Sequence, residues 1–263
     1  MSEGDSFKKE CIDEIRKMGK DINLKKATSD WMNKANQLKY SYHYEWLGRP
    51  VIQYPQDIVA MQELIWDIKP DLIIETGIAH GGSLILSASM LAMIDMTDAI
   101  EVQSKIDPAK SERKVLGIDI DIRKHNYDAI KAHPMSSRIQ MIEGSSIASE
   151  TISQVKEIAK SYKKILIFLD SNHTHDHVLS ELKAYAQLAS VGSYCVVFDT
   201  IIEDIPNATF LNRSWGVGDN PKTAVWEYLK QNDNFEIDKE IQDKLLITVA
   251  PDGYLKKVRV MTT

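Results

Sequence analysis

The sequence is poor in cysteine, in net positive charge and in long apolar runs, and each shortage excludes a class of protein. Its 263 residues include two cysteines, Cys11 and Cys195, too far apart in sequence to predict a disulfide framework. A formal net charge of −6 argues against general nucleic-acid binding, which relies on lysine and arginine. No apolar run reaches the ~20 residues of a membrane span, and the polar N-terminus does not resemble a secretory signal. We therefore expect a cytoplasmic protein with no nucleic-acid or membrane partner.

The length and composition fit one large α/β domain with an extension. Hydrophobic residues make up 43% of the chain and charged residues 27%, which is ordinary for a globular protein. Residues 1–55 show helical periodicity without a glycine-rich turn, so we predict an N-terminal helical extension there and the α/β domain over residues 56–263. Aromatic residues crowd positions 40–46. They are expected to cap the sheet or to form a contact in a homo-oligomer, with lining of a pocket as the second option.

The most informative pattern lies in residues 71–96. A short β-branched run after Asp71 is followed by Glu75, three glycines and a helical periodicity that starts at Ser83, which predicts a strand, a glycine-rich turn and a helix. Such a turn lets a ligand approach the backbone, and the free amides at the start of the helix suit an anion. The pattern E-x-G-x-x-x-G-x-S matches neither the P-loop nor the dinucleotide-binding signature.

Four further apolar runs predict parallel strands that end in polar residues. These residues are, in chain order, Asp119 and Asp121, Ser145 and Ser146, Asp170, and Asp199. Ligands of open α/β sheets bind at the carboxyl ends of the strands, and an acid at the second tip can accept hydrogen bonds from a ribose. Asp119 is preferred over Asp121 for that position. The fold prediction is a Rossmann-like sandwich, with a mostly parallel seven-stranded sheet between two layers of helices.

Two of the strand-tip acids predict a metal site. Asp170 and Asp199 follow neighbouring predicted strands, so their carboxylates would repel each other unless a cation lay between them. Oxygen ligands with open water positions suit Mg²⁺. Thr200 offers a hydroxyl as a weaker ligand. The alternative is structural, with one acid capping a helix and the other in solvent.

The segment after Asp170 contains three histidines, His173, His175 and His177, that suggest a competing zinc-dependent hydrolase. Paired histidines of this kind bind zinc in metallo-β-lactamase-type enzymes. The spacing is one residue short, however, and no histidine follows later in the chain to complete a site. We expect His175 and His177 to be solvated residues at the start of the next helix.

Five motifs together resemble the cephalosporin hydroxylase family. They are W-L-G-R-P at 46–50, Y-P-Q-D at 54–57, I-I-E-T-G-I-A-H-G-G-S at 73–83, G-I-D-I-D-I-R at 117–123 and L-D-S-N-H at 169–173. The resemblance implies a class I methyltransferase that uses S-adenosylmethionine and Mg²⁺ to methylate a hydroxyl of a small molecule or sugar. This family includes rhamnosyl O-methyltransferases. A noncatalytic module that binds S-adenosylmethionine is a further alternative.

The resemblance also implies roles for individual residues. The turn would hold S-adenosylmethionine through Glu75, Gly77, Ala79, Gly81 and Ser83. Asp119 or Asp121 would contact its ribose, Ser145 and Ser146 its adenine, and Asp170 would lie beside it.

A more distant similarity, to catechol O-methyltransferase, implies that His173 is the base that deprotonates the acceptor beside the metal ligand Asp170. Phe198 stands where relatives carry an acid, which leaves the third protein ligand open. Residues 201–220 lack periodicity and are predicted to cover the substrate as a lid.

Overall fold

The computed structural model of the protein describes residues 3–205 and 213–260. The predicted lid, residues 201–220, therefore lies partly outside the described residues. Within them the helices are α1 Glu3–Lys20, α2 Ile22–Gln37, α3 Pro55–Ile68, α4 Gly82–Glu101, α5 Lys124–Ala132, α6 Ser149–Ala159, α7 His175–Tyr185, α8 Pro221–Leu229 and α9 Lys239–Leu245. The strands are β1 Tyr44–Trp46, β2 Arg49–Val51, β3 Leu72–Thr76, β4 Lys114–Asp119, β5 Ile139–Glu143, β6 Ile165–Leu169, β7 Tyr194–Val197, β8 Phe235–Ile237 and β9 Tyr254–Lys257.

Seven strands form one twisted sheet in the order β5-β4-β3-β6-β7-β9-β8. Strands β3 to β7 pair in parallel, whereas β9 runs antiparallel to both of its neighbours. Each parallel connection carries helical structure, as right-handed crossovers in such sheets require. The predicted Rossmann-like fold is confirmed. The first parallel strand, β3, is the middle one of the five parallel strands and lies between β4 and β6, so its tip is next to the tips of both.

Hydrophobic cores lie on both faces of the sheet. Strand β3 shows why, because Ile73 faces one core while Leu72 and Ile74 face the other, and all three are fully buried. Helices α3 and α4 cover the first face, and helices α6 and α7 pack on the second. A strand buried on both sides needs a continuous apolar run, which is the pattern that identified it in the sequence.

Helix α4 is longer than predicted. The apolar periodicity suggested an end near Met96 and a surface loop from Thr97, but the helix continues to Glu101. Its last turns are partly exposed, as Ile100 illustrates, so the polar residues there do not interrupt it. The length and mean hydropathy of α4 would also suit a membrane span, a weak criterion that buried core helices pass equally well. Here α4 packs on the sheet through Leu84 and its neighbours.

The apolar run at residues 245–249, L-L-I-T-V, predicts one of the last strands of the sheet, and this prediction is wrong. Helix α9 ends at Leu245, and Leu246 adopts a left-handed φ of 57° that no strand tolerates. The following residues are held instead by Asp57 of helix α3. Its carboxylate accepts hydrogen bonds from the Thr248 hydroxyl, from the Val249 amide at 2.9 Å and from the Tyr254 hydroxyl at 2.9 Å.

An aromatic cluster attaches the N-terminal helices to the domain. The rings of Trp31, Tyr40, Tyr44 and Tyr54 lie in contact, with successive centroids 5.1 to 6.2 Å apart. Tyr54 is fully buried at the start of helix α3, and its hydroxyl donates to the Asn36 side chain of helix α2. Part of the aromatic segment therefore does cap the domain. The remainder of this segment, considered below, reaches the cavity.

Candidate active site

The glycine turn brings the central strand tips into contact. Gly77 has a φ of +88°, and a Cβ atom placed on it would lie 2.0 Å from the carbonyl oxygen of Asp170. Its amide donates to the Ile118 carbonyl of strand β4 at 2.8 Å. A residue with a side chain would both strain the backbone and separate strand β3 from strand β6. Gly81, with a φ of +82°, ends the turn where helix α4 begins.

Asp119 braces this turn from strand β4. Its Oδ2 accepts hydrogen bonds from the amides of Ile78 at 2.8 Å and Ala79 at 3.2 Å, and Ala79 itself has a left-handed φ of 45°. The structure gives Asp119 a direct role in shaping the turn, and its contact with a ribose stays a prediction. The side chain of Asp121 is 68% exposed and lies near Arg123.

Glu75 lies beneath the turn. It is buried and accepts a hydrogen bond from the Ser87 hydroxyl of helix α4. Burial raises the pKa of Glu75 to about 7, although the hydrogen bond from Ser87 opposes this shift. Gly77, Ala79 and Ser83 line the cavity described below, but Glu75 is not among its lining residues. Contact between Glu75 and the ammonium group of a cofactor stays a prediction.

Three side chains converge where strands β6 and β7 end. Ligating atoms of Asp170, His173 and Asp199 all lie within 4.8 Å of one another, and His173 Nε2 is 3.2 Å from Asp199 Oδ2. The pKa of Asp170 is raised well above its ordinary value, first by burial and then by the negative charge of Asp199. Asp199 adopts a left-handed φ of 55°, as the chain turns from β7 into a 3₁₀ helix.

Thr200 does not join this cluster in the way the sequence suggested. Its hydroxyl donates to the Pro251 carbonyl at 2.6 Å, and the residue is fully buried. This hydrogen bond fixes the 3₁₀ helix that follows Asp199, so we assign Thr200 a structural role. Phe198 packs against Phe168 in the core. The third member of the cluster is therefore His173, which sequence reasoning considered only as a base.

The histidines of the competing zinc site point in different directions. His175 contacts the Thr223 hydroxyl at 2.8 Å and Glu227 at 3.2 Å, both on helix α8. His177 contacts the Ser146 hydroxyl at 3.1 Å and the Ser171 hydroxyl at 3.2 Å. The three histidines do not form one zinc site, and the structure does not support the hydrolase alternative. Neither His175 nor His177 is simply solvated, because each has polar partners.

The predicted adenine residues lie beside His177. Ser146 is buried, and its carbonyl accepts a hydrogen bond from the Tyr185 hydroxyl. Ser145 is partly buried at the same strand tip. Neither residue lines the cavity that contains the metal-type cluster, so their contact with adenine stays a prediction.

A cavity of about 970 Å³ opens over the turn and the cluster. It extends from Gly77–Ser83 across Asp170, His173 and Asp199 to a wall built by the N-terminal extension. That wall contains Asn33, Asn36, Gln37, Lys39, Ser41 and Tyr42. The second option for the aromatic segment, pocket lining, thus holds for Tyr42. Trp215 also lines the cavity and packs edge-on against the His173 ring with centroids 5.3 Å apart.

The sequence did not identify Gln53 or the side-chain amides of Asn33, Asn36 and Gln37 in helix α2 as site residues. Gln53 lies just before helix α3, lines the cavity and donates to Asp170 Oδ2 at 3.1 Å. A polar residue in the otherwise apolar stretch 51–54 was the one available signal. Helix α2 gave none, because asparagine and glutamine on a helix are ordinarily solvated.

The residues present fit both groups that the family resemblance implies. A cavity of this size can hold a nucleoside cofactor together with a small acceptor. The close backbone approach at Gly77 and the amides that begin helix α4 suit the carboxylate of S-adenosylmethionine. Two neighbouring carboxylates with room for water suit Mg²⁺, and a cation there would relieve the repulsion between Asp170 and Asp199.

Comparison with known proteins agrees with this fold. An apo structure of CmcI superposes with a TM-score of 0.51 at 17% identity, covering 83% of this chain and 78% of that one. A structure of CmcI with Mg and SAM gives a TM-score of 0.50 at 18% identity over the same shares. At these identities the superpositions establish the fold alone. Together with the sheet order they define a Rossmann-like α/β fold.

The sequence comparisons identify the family. The family model described as Rhamnosyl O-methyltransferase/CmcI matches residues 38–258, and the chain therefore belongs to that family. A rhamnosyl O-methyltransferase of Mycobacterium tuberculosis (strain ATCC 25618 / H37Rv) is 29% identical over 204 residues, which are 76% of this chain and 72% of that one. One of Mycobacterium leprae (strain TN) is 28% identical over 212 residues, 80% of this chain and 81% of that one. The chain is an S-adenosylmethionine-dependent O-methyltransferase.

Proposed function

We propose that this enzyme methylates a hydroxyl of a saccharide, with Mg²⁺ held by Asp170 and Asp199 and with His173 as the base. The observation that carries the proposal is the convergence of these three side chains within 4.8 Å at the floor of the cavity. The glycine turn that suits the cofactor lines the same cavity. Methyl donor, metal and acceptor would therefore share one enclosed space.

The chemistry divides between the bound groups and the chain. When bound, S-adenosylmethionine supplies an electrophilic methyl group and leaves as S-adenosylhomocysteine, while Mg²⁺ supplies a positive charge that acidifies a nearby hydroxyl. Asp170 and Asp199 hold the charge in place. The turn at Gly77 and the cavity walls orient the two substrates, which is a large part of catalysis in a reaction between two bound molecules.

His173 is assigned the proton transfer. Its Nε2 lies 3.2 Å from Asp199 Oδ2, so a hydroxyl held beside Asp199 would be within reach of the imidazole. A neutral imidazole accepts a proton readily near neutral pH. The edge-on contact with Trp215 restricts the ring and so maintains its orientation.

The acceptor class rests on the cavity wall and on the family. Three amide side chains of helix α2, Asn33, Asn36 and Gln37, line the cavity, and Trp215 lines it as well. Amides offer both donors and acceptors to sugar hydroxyls, and an indole face suits the apolar side of a sugar ring. The mycobacterial relatives carry the name rhamnosyl O-methyltransferase. We therefore favour a rhamnoside or a related glycoside. Cytoplasmic location and homo-oligomeric assembly remain part of the proposal.

The test separates the metal ligands from the base. Binding of Mn²⁺, a paramagnetic substitute for Mg²⁺, is measured by electron paramagnetic resonance, and methylation of p-nitrophenyl α-L-rhamnopyranoside by mass spectrometry. Asp170→Asn and Asp199→Asn should each weaken Mn²⁺ binding by at least about tenfold. His173→Gln should retain Mn²⁺ affinity within about threefold but lower kcat by about 10² to 10⁴.

Asp128→Asn, on the solvent-exposed side of helix α5, is the control and should change neither quantity. Loss of Mn²⁺ affinity in His173→Gln would make His173 a ligand and refute its role as base. Unchanged turnover of wild-type enzyme in excess chelator would remove the metal from the mechanism.

A further inference from the structure

Gln53 occupies an unusual position beside the metal-type cluster. It is only 4% exposed, yet it lines the cavity. Its Nε2 donates to Asp170 Oδ2 at 3.1 Å. Its Oε1 is buried and finds no hydrogen-bond partner within residues 3–205 and 213–260.

The orientation of this amide follows from its neighbour. Asp170 must be ionised to hold a cation, and a carboxylate can only accept hydrogen bonds, so the end of Gln53 that faces Asp170 is the NH₂ group. The carbonyl oxygen is then the other terminal atom of the planar amide and points away from Asp170. A buried carbonyl without a donor is unfavourable and is rare in folded proteins. The arrangement is explained if the donor arrives with a substrate.

The donor is best supplied by the acceptor itself. Gln53 precedes helix α3 by two residues in the chain, and it lines the same cavity as Asp170 and the side chains of helix α2. A hydroxyl that reacts beside Asp170 would place its neighbouring hydroxyl within reach of an amide bonded to the same carboxylate. The chain offers a second amide of this type on the wall, because the Oδ1 of Asn33 is also buried without a partner among the described residues.

We propose that Gln53 is an acceptor-binding residue whose Oε1 accepts a hydrogen bond from the hydroxyl next to the one that is methylated. The enzyme would then select a vicinal diol, as in a sugar, over a simple alcohol. This inference rests on the saccharide acceptor proposed above. Gln53 would also couple acceptor recognition to Asp170, since one amide contacts both.

The test is a double-mutant cycle between Gln53 and the acceptor. Enzyme saturated with S-adenosylhomocysteine and Mg²⁺ is titrated calorimetrically with p-nitrophenyl α-L-rhamnopyranoside and with its monodeoxy analogues. Nuclear magnetic resonance of the methylated product first identifies the reacting hydroxyl, and hence its neighbours. In wild-type enzyme, loss of the neighbouring hydroxyl should weaken binding about 10- to 100-fold. In Gln53→Met, parent and deoxy compound should bind within about threefold of each other, because the carbonyl is gone.

Gln56→Met is the matched control. Gln56 also carries a buried amide oxygen without a partner among the described residues, but it does not line the cavity. The Gln56→Met variant should therefore bind the deoxy compound more weakly than the parent by the same factor as wild type does. S-adenosylhomocysteine affinity and thermal melting report whether Gln53→Met is folded. If it is not, Gln53→Asn withdraws the carbonyl by one methylene and should abolish the same penalty.

Two results would overturn the inference, and they differ from each other. A wild-type penalty that persists in folded Gln53→Met or Gln53→Asn refutes the role of Gln53 alone and leaves the saccharide acceptor intact. Failure of wild-type enzyme to bind or methylate the rhamnoside refutes the saccharide acceptor class, and this inference with it.

Discussion

Asp57 is a buried carboxyl that ties helix α3 to the chain beyond helix α9. It is fully buried, and three donors from residues 248–254 surround it. Burial raises its pKa to about 6 from the ordinary 3.8, although the hydrogen bonds oppose this shift. The folded protein therefore favours the protonated form of Asp57 more than the unfolded chain does. Its ionisation near neutral pH carries a stability cost.

The sign of this linkage gives a pH prediction. Because the folded pKa lies above the unfolded one, the stabilising contribution is complete below about pH 4 and is lost as the pH rises through 6. The loss amounts to about 3 kcal/mol for a shift of about two units. Asp57→Asn cannot ionise. The free energy of unfolding of Asp57→Asn minus that of wild type should therefore increase by about 3 kcal/mol between pH 4 and pH 7.

Urea denaturation at several pH values, with chelator present throughout, measures this difference. Asp13→Asn, at an exposed position of helix α1, should keep a nearly constant difference from wild type over the same range. A constant difference for Asp57→Asn as well would mean that Asp57 does not titrate in this interval.

At the residue scale, the sequence predicted the site correctly where one pattern recurs, namely an acidic residue directly after an apolar strand. Asp170 and Asp199 were expected together because both follow apolar runs, and the structure places them together. Thr200 and Gln53 could not be assigned in this way. Whether a hydroxyl or an amide faces a metal or a carbonyl depends on contacts with residues such as Pro251 and Asp170, which lie 51 and 117 positions away in the chain.

At the scale of elements, an ionic cluster fixes the long connection between helix α4 and strand β4. Asp95 of helix α4 pairs with Arg113 at 2.8 Å and also contacts the guanidinium of Arg138. The side chain of Arg138 is only 3% exposed. Ser111 donates to Asp95 at 2.7 Å and completes the cluster. Arg113 therefore attaches the connection to Asp95 of helix α4, and Asp95 in turn binds Arg138, the residue just before strand β5.

Removal of Asp95 should be costly. Asp95→Ala leaves the Arg138 guanidinium buried without its carboxylate, and breaking a buried pair from one side typically costs about 3 to 5 kcal/mol. Equilibrium denaturation should show a loss in this range. The comparison is Asp128→Ala, which breaks the Lys124–Asp128 pair with side chains 87% and 56% exposed and should cost less than about 1 kcal/mol. Equal losses in the two variants would mean that the cluster does not stabilise the fold.

Elements were predicted well where burial dictates the pattern and poorly where it does not. Strands β3, β4 and β6 are apolar because both faces are covered. The stretch 245–249 is also apolar, but it packs under Asp57 without pairing to a strand. Helix α4 was predicted too short because its last turns are exposed and so lose the apolar period.

At the scale of the whole molecule, the two N-terminal helices make different contributions. Of the described residues, those that line the cavity begin with Asn33 in helix α2. Helix α1 packs instead against helix α9, with an exposed pair between Arg16 and Glu240 at 3.0 Å. We therefore assign helix α2 to acceptor binding and helix α1 to stability alone.

Deletion of residues 1–20 tests this division. The shortened enzyme should bind S-adenosylhomocysteine within about threefold of the full-length chain by calorimetry, and its Tm should fall by a few degrees, since exposed ion pairs contribute about 0 to 1 kcal/mol. Asn33→Leu, made in the full-length chain, should show the opposite pattern, with an unchanged Tm and weaker binding of the rhamnoside. Loss of S-adenosylhomocysteine binding on deletion would contradict the assignment.

The overall architecture was predictable because parallel strands, a glycine turn and tip acids constrain one another. The wall of the cavity was not. It is built by helix α2, whose lining residues Asn33, Asn36 and Gln37 lie 133 to 137 positions before Asp170 in the chain. No local sequence pattern indicates that these distant residues line the same cavity. Tyr54 and the aromatic rings around it supply the contact that brings them together.

Strand β9 lies between β7 and β8 in the sheet although it is the last strand described. During synthesis on a ribosome, β8 would therefore have no neighbour to pair with until residues 254–257 have left the exit tunnel. The donors to Asp57 would also be absent until residues 248–254 have been synthesised, and so would Val249, which lines the cavity. The cavity would therefore be completed only after β9 has been synthesised and has paired with β7 and β8.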